Sequence, residues 1–315
     1  MGKQRVGRTM VILIIVVVTI ITSLVIARKS AWLYDEEHIV KHLKVVSVTM
    51  QVDVDPQVNR QKMVALVQAA MQAHPDVEVV LFGETVLGWY ARKADTMAYH
   101  QSIAERIPGE TTAVISSLAR EYGIYISFGM DEVQGGALYN SQVLIDPYGE
   151  IIAVHRKVNL QGSKVYQPGE TLVTLAQING IKTAIIICSD IQDPKIRSRL
   201  IEERPELILG SLANPSDRNW FVSGMIAKMF DAWIVTANRY GAEDKFFFDG
   251  QMIVADPLGD LRVQTKDQEQ SIYYDIGFAA DASPIVKILR RSFVDVSLGA
   301  HFIKSIPMLF PARRD

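Results

Sequence analysis

Three reactive side chains each close an apolar run in this sequence. Glu84 ends VVLFGE, Lys157 ends IIAVHRK, and Cys188 ends AIIIC. Cys188 is the only cysteine in 315 residues. A carboxylate, an ammonium and a thiol are together sufficient for nucleophilic attack on an acyl carbon. The carboxylate takes the thiol proton, because the thiolate is the nucleophile. The lysine supplies positive charge that lowers the thiol pKa and stabilises an oxyanion. The backbone N–H of Ser189 is a second oxyanion donor, and Asp190 and Asn214, which also follow apolar runs, are candidates for the oxyanion or substrate contacts. Attack on a carbonyl or nitrile carbon then gives a thioester-type intermediate, opened by water or an amine.

Each of the three has a plainer reading. Glu84 can cap the segment that follows it. Lys157 stands beside Arg156 and can be solvated surface. A lone cysteine after a hydrophobic run can be a small packing residue. The three are remote in sequence, so spacing alone leaves open whether they meet. A Cys–His pair using His155 is an alternative, although nothing else singles His155 out.

Other chemistries lack their residues. The six histidines show no metal-ligand spacing, and one cysteine cannot build a thiolate zinc site. There is no GxGxxG, Walker A or GxSxG pattern. No metal or cofactor is therefore expected. A formal net charge of −2 carries no basic excess, so nucleic acid is not an expected partner. With 49% hydrophobic and 22% charged residues the composition is that of a globular protein. One cysteine excludes an internal disulfide framework and leaves the compartment open.

The elements that must position these groups follow from periodicity. LKVVSVTMQV (43–52) alternates and is valine-rich, so it reads as a strand. NRQKMVALVQAAMQA (59–73) has helical spacing, VEVVLFGE (77–84) is a short strand, TTAVISSLAREYG (111–123) is a helix closed by Gly123, and IYISFGMDEV (124–133) is a strand. This alternation predicts layered α/β architecture. YNSQVLIDPYGEIIAVHRKVN and FDGQMIVADPLGDLRVQTKD each place two alternating runs around a DPxG turn, and predict two similar hairpins in the two sheets of one sandwich. Between them lie the strand TAIIICSD, the helical PKIRSRLIEERP, the strand LILGSLA, and MIAKMFDAWIVTANRY, a helix passing into a strand.

Residues 10–27, MVILIIVVVTIITSLVIA, carry no charge and are flanked by Lys3, Arg5, Arg8, Arg28 and Lys29. A retained transmembrane anchor is the favoured reading, with a cleaved signal peptide and a buried core element as alternatives. The flanking charges nearly balance; the preferred orientation puts the main domain outside the cytoplasm as part of a single-pass membrane protein. Residues 1–9 are then a basic tail and 28–42 a linker. The C-terminal segment 283–315 reads as an arm packed along its own domain, or else as an amphipathic arm on a bilayer or partner.

From about Leu43 to about Ile276 the chain resembles the nitrilase-like carbon–nitrogen hydrolase superfamily. The segments that carry the resemblance are VVLFGETVLGWY, YNSQVLIDPYGEIIAVHRKVNL, IIICSDIQDPKIRSRLIEERPELILGSLANPSD, TANRYG and DGQMIVADPLGDL, in that order. The resemblance implies a four-layer α-β-β-α sandwich over residues 43–282. It also implies a Glu–Lys–Cys site that hydrolyses amides or nitriles or transfers acyl groups, with Glu84 as base, Lys157 as oxyanion stabiliser and Cys188 as nucleophile. A membrane-anchored amidase acting on a small-molecule or lipid-linked amide, and forming a homo-oligomer, is the expected whole. The alternatives are a catalytically degenerate binding domain and acyl transfer to an amine. Two departures stand out. Ser189 replaces the usual aromatic after the cysteine. The stretch VNLQGSKVYQPG lacks the second glutamate of many members, with Glu170 lying just beyond it. The membrane-bound lipoprotein N-acyltransferase branch is also similar, but needs several membrane helices where this chain offers one.

Overall fold

In the computed structural model, which describes residues 14–18, 21–22, 38–90, 96–215, 219–244, 246–265 and 267–279, the valine-rich run is strand β1 (Ile39–Gln51). Helix α1 (Pro56–Ala73) follows, its first turn closed by the Asp55 carboxylate accepting from the Gln57 N–H, with Pro56 at the first position where its missing N–H costs nothing. After β2 (Val79–Leu81) come α2 (Thr96–Ile103) and α3 (Glu110–Tyr122), the latter ended by Gly123 in the left-handed region, as TTAVISSLAREYG predicts. Strands β3 (Tyr125–Gln134), β4 (Ala137–Ile145) and β5 (Ile151–Arg156) complete the first half.

The second half holds β6 (Thr174–Ile178), β7 (Ile181–Ile187), a 3₁₀ turn (Cys188–Gln192), α4 (Pro194–Glu203), β8 (Leu207–Ser211), α5 (Asn219–Phe230) and β9 (Trp233–Ala237). Then come β10 (Arg239–Glu243), β11 (Phe246–Asp249), β12 (Met252–Ala255), β13 (Leu261–Thr265) and β14 (Gln270–Ala279).

Among the described residues the strands form two sheets. One runs β11-β10-β1-β2-β3-β4-β5, with β14 also on β1; the other runs β13-β12-β9-β8-β7-β6. Their centres are parallel: β1, β2 and β3 in the first, β7, β8 and β9 in the second. Helices cover the outer face of each. Met63 and Val67 of α1 and Ile115 and Leu118 of α3 pack with Val46, Val80, Phe128 and Val143. Ile196 and Leu200 of α4 and Ile226 and Phe230 of α5 pack with Ile186, Ile208 and Ile234. The inner faces meet where β4 and β5 lie on β7. This is the α-β-β-α sandwich, and Leu43–Ile276 form one compact unit.

The two DPxG turns form one hairpin in each sheet, β4–β5 and β12–β13. In each the aspartate carbonyl accepts the glycine N–H, at 2.9 Å for Asp146–Gly149 and 2.8 Å for Asp256–Gly259. Each aspartate side chain also accepts two further backbone N–H groups.

One expectation is corrected and the bounds of another are narrowed. IVTANRY is not one strand: β9 belongs to the second sheet and β10 to the first, where Arg239 pairs with Met50 of β1. Asn238 makes the crossover, its side chain bonded to the backbone of Asn214 and Arg239. VEVVLFGE is a three-residue strand whose continuation is held to β3 by single bonds, Phe82 N–H to Ser127 O and Gly129 N–H to Gly83 O. That close approach requires Gly129, because a Cβ there would meet the Thr85 nitrogen and the Glu84 Cα.

Of the expected anchor 10–27, residues 14–18 and 21–22 are described and helical; the rest, with 1–9, most of the linker 28–42 and the C-terminal arm 283–315, lies outside the described residues. Among the described residues no helix is long and apolar enough to cross a membrane.

Candidate active site

The three sequence candidates all lie where strands end. Glu84 follows β2, Lys157 follows β5, and Cys188 follows β7. Sites in layered α/β folds gather at such ends, because the strands are rigid and the loops beyond them converge. Cys188 has φ 44, a conformation an L side chain adopts at a cost, and it turns the chain abruptly from strand into 3₁₀ helix. Cys188 as a residue is half-buried at this bend, while its sulfur lies deep enough for burial to govern its ionisation. Across the layer, the Glu84 N–H donates to Leu212 O at the end of β8, tying the first sheet to the second beside the cysteine.

Lys157 and Glu84 meet: Nζ donates to Oε1 at 2.6 Å, with both residues buried. Burial pulls the Lys157 ammonium towards neutrality, but the Glu84 carboxylate and its hydrogen bond more than offset it, and the lysine stays charged above its ordinary value. Cys188 lies close enough for its ionisation to respond to both. The expected lowering of its pKa does not occur. Burial and then the Glu84 charge push the thiol up to about 12, against the opposing Lys157 charge and the Ala213 N–H. At neutral pH it rests as a thiol, so reaction requires a base at the moment of attack.

Ser189, Asp190 and Asn214 have structural partners. The Ser189 hydroxyl donates to Asn159 O at 2.6 Å, and Asn159 Nδ2 donates back to Ser189 O at 2.8 Å. Asp190 is fully buried and both its oxygens are filled. Oδ1 accepts from the N–H of Val158 and Asn159; Oδ2 accepts from the Ile187 N–H and bonds His155 Nε2. The Asp190 carboxylate thereby rivets the chain after Lys157 onto the cysteine turn. His155, also bonded to Thr174, is part of that rivet and not a partner for the thiol. Asn214 bonds through its backbone to the Asn238 amide.

Sequence reasoning missed three residues that shape the site. Asn140 of β4 donates through Nδ2 to Glu84 Oε1 at 2.7 Å. Arg239 is wholly buried, paired with Glu243, and donates to the carbonyls of Glu84, Thr85 and Gly88, clamping the loop that bears Glu84. Tyr90 lies farther along the chain from Glu84, its hydroxyl held protonated by the Glu84 charge first and burial second, its ring edge-on to Phe246 and Phe248. The signal was present, since Asn140 and Arg239 stand in the quoted YNS and TANRYG segments. Only burial marks them as more than strand residues.

In the loop where a second glutamate was absent, the buried polar group is Tyr166, whose hydroxyl donates to Asp131 Oδ1 at 2.6 Å. Glu170 is exposed. Among the described residues no group of three or more His, Cys, Asp or Glu side chains is arranged to hold a metal ion.

Comparison with known proteins converges on one family. Residues 44–280 match the model of the family described as carbon-nitrogen hydrolase. A nitrilase of Pyrococcus abyssi is 29% identical over 54% of this chain and 66% of its own length. The omega-amidase NIT2-A of Xenopus laevis is 33% identical over 61% of this chain and 76% of its own. Among solved structures, Nit3 of Saccharomyces cerevisiae, a member of branch 10 of the nitrilase superfamily, superposes with a TM-score of 0.69 at 19% identity, covering 87% of this chain and 98% of that one, a likeness of fold.

Proposed function

The chain belongs to the carbon–nitrogen hydrolase family, and from that premise we propose that it is an amidase whose Cys188 forms an acyl-enzyme with help from Glu84 and Lys157. The observation that carries this reading is the buried 2.6 Å contact of Lys157 with Glu84 beside a strained, half-buried cysteine whose ionisation feels both.

Glu84 takes the thiol proton as sulfur bonds to the amide carbon. The tetrahedral oxyanion is met by the Lys157 ammonium and the Ser189 N–H. Collapse breaks the carbon–nitrogen bond, and the amine leaves with the proton that Glu84 held. Water, deprotonated by the same carboxylate, then attacks the thioester, releases the acid and returns the thiol. Lys157 is suited to the oxyanion because it remains charged through the cycle.

The substrate is a small or lipid-linked amide. Residues 43–282 form the catalytic domain, held at a membrane by 10–27 with the domain outside the cytoplasm, and it acts as a homo-oligomer. The test is mass spectrometry of the protein incubated with a panel of amides, including ω-amides. An acyl adduct on Cys188 with acid release, both absent from Cys188→Ala, supports the reading; the absence of both adduct and release from the wild-type protein across the panel overturns it in favour of a binding domain. Trapping with hydroxylamine alongside a product assay separates hydrolysis from transfer to an amine.

A further inference from the structure

We infer that Asn140 is a positioning residue that makes Glu84 a one-ended base: with Lys157 it holds Oε1, leaving Oε2 as the oxygen that receives the Cys188 proton. This rests on the reading of Glu84 as base, and assigns a role to a residue outside the proposed trio.

The two oxygens of Glu84 are not equivalent. Oε1 accepts from Lys157 Nζ at 2.6 Å and from Asn140 Nδ2 at 2.7 Å. Oε2 is buried with no hydrogen-bond partner among the described residues. A carboxylate only accepts here, so the Asn140 amide must present its NH₂ to Oε1, since its own oxygen there would face another acceptor. An oxygen with two charge-assisted or polar donors is poorly basic, and the one without donors keeps its lone pairs for an incoming proton.

Asn140 is itself held in place from two directions. It stands on β4 in register with Asp131 of β3, and its carbonyl accepts the Lys157 N–H at 2.8 Å. One residue therefore fixes the lysine through its main chain and the glutamate through its side chain. Its neighbour Ser141 points to the other face of the sheet and donates to Glu132 Oε2. The ionisable groups electrostatically coupled to Glu84 come from several elements: Lys157 after β5, Cys188 after β7, Tyr90 of its own loop and Tyr166 of the loop before β6.

Alkylation of the single cysteine by iodoacetamide, followed against pH on the full-length protein, reads this without a known substrate. Sulfur bonds to the CH₂ carbon, iodide leaves, and the thiol proton goes to Oε2 and then to solvent. A thiol alkylated only through free thiolate reacts about tenfold faster per pH unit below its pKa. One assisted by an internal carboxylate adds a component nearly independent of pH between about pH 6 and 8.

The wild-type protein is expected to show that plateau and Glu84→Gln to lose it. Asn140→Leu, which keeps the γ-branched outline without the donor, and Asn140→Asp, which keeps shape but cannot donate when ionised, are each expected to lower the plateau at least about tenfold. Ser141→Ala, disturbing the same strand from the other face, is expected to retain it. A plateau kept in both Asn140 variants but lost in Glu84→Gln overturns the role of Asn140 and leaves the base in place. A plateau equally lost in Ser141→Ala also overturns it, as generic damage to β4. A plateau retained in Glu84→Gln overturns the reading of Glu84 as base itself.

Discussion

Two buried carboxylates flank the cysteine turn, and they are used in opposite ways. Asp190 bonds partners at both oxygens, three of them backbone N–H groups and the fourth His155. Glu84 places both of its donors on one oxygen and leaves the other buried and unmet. A buried acceptor without a partner costs about 1–3 kcal/mol and is rare in folded proteins. A saturated carboxylate holds a scaffold together. An unsaturated one beside a thiol, with its charge countered by Lys157, stores the capacity to accept a proton. The difference teaches that burial alone does not separate these two acids, and an unmet oxygen alone does not either, since Asp131 Oδ2 is also buried and unmet; what sets Glu84 apart is an unmet oxygen on a carboxylate that bonds Lys157 and acts on the Cys188 thiol.

Substitutions at the two acids and the sulfur between them break or sharpen this contrast. The largest expected effect is Cys188→Ala, which removes the nucleophile and lowers amide turnover on the order of 10⁴-fold or more, measured as acid release. Glu84→Gln keeps shape and removes the base. It lowers kcat on the order of 10²–10⁴-fold, and it also lowers the melting temperature, because the buried Lys157 ammonium loses its charge partner at Oε1. Asp190→Ala acts through the fold rather than the chemistry. It strips the buried partner from His155 and three backbone donors, and destabilises the fold by about 3–5 kcal/mol, read by urea unfolding. An Asp190→Ala protein as stable as wild type but without turnover would place Asp190 among the reacting groups and erase the distinction.

Ser189→Ala is the smallest. It loses one hydrogen bond to Asn159 O, about 1 kcal/mol, while the Ser189 N–H remains, so turnover changes by no more than about threefold. A loss of kcat matching that of Glu84→Gln would mean that the hydroxyl itself touches the oxyanion.

Much of the architecture was legible because local signals carry it. The DPxG turns specify their hairpins through an aspartate that bonds the backbone within four residues. The helix start at Asp193-Pro194 is written in adjacent residues and was read, whereas α1 begins at Pro56, ahead of the predicted start at Asn59. The break at Asn238 was not legible, because WIVTANRY contains no proline or glycine to mark where the chain passes from one sheet to the other. Helix α2 was also missed; at eight residues its pattern is too short to rise above a loop.

The sequence by itself determined the inventory of chemistry: one thiol, an acid and a lysine at strand ends, and the family to which their order belongs. Tertiary structure alone decided which oxygen of Glu84 stays unbonded, that Asp190 is a rivet, that Asn140 and Arg239 serve the site, and that the thiol is pushed up to about 12 despite the neighbouring lysine. The reason is physical. Residue type fixes what a group can donate, accept or release, whereas its charge state and free lone pairs depend on burial and on partners a few ångströms away in space, which lie tens of residues away along the chain.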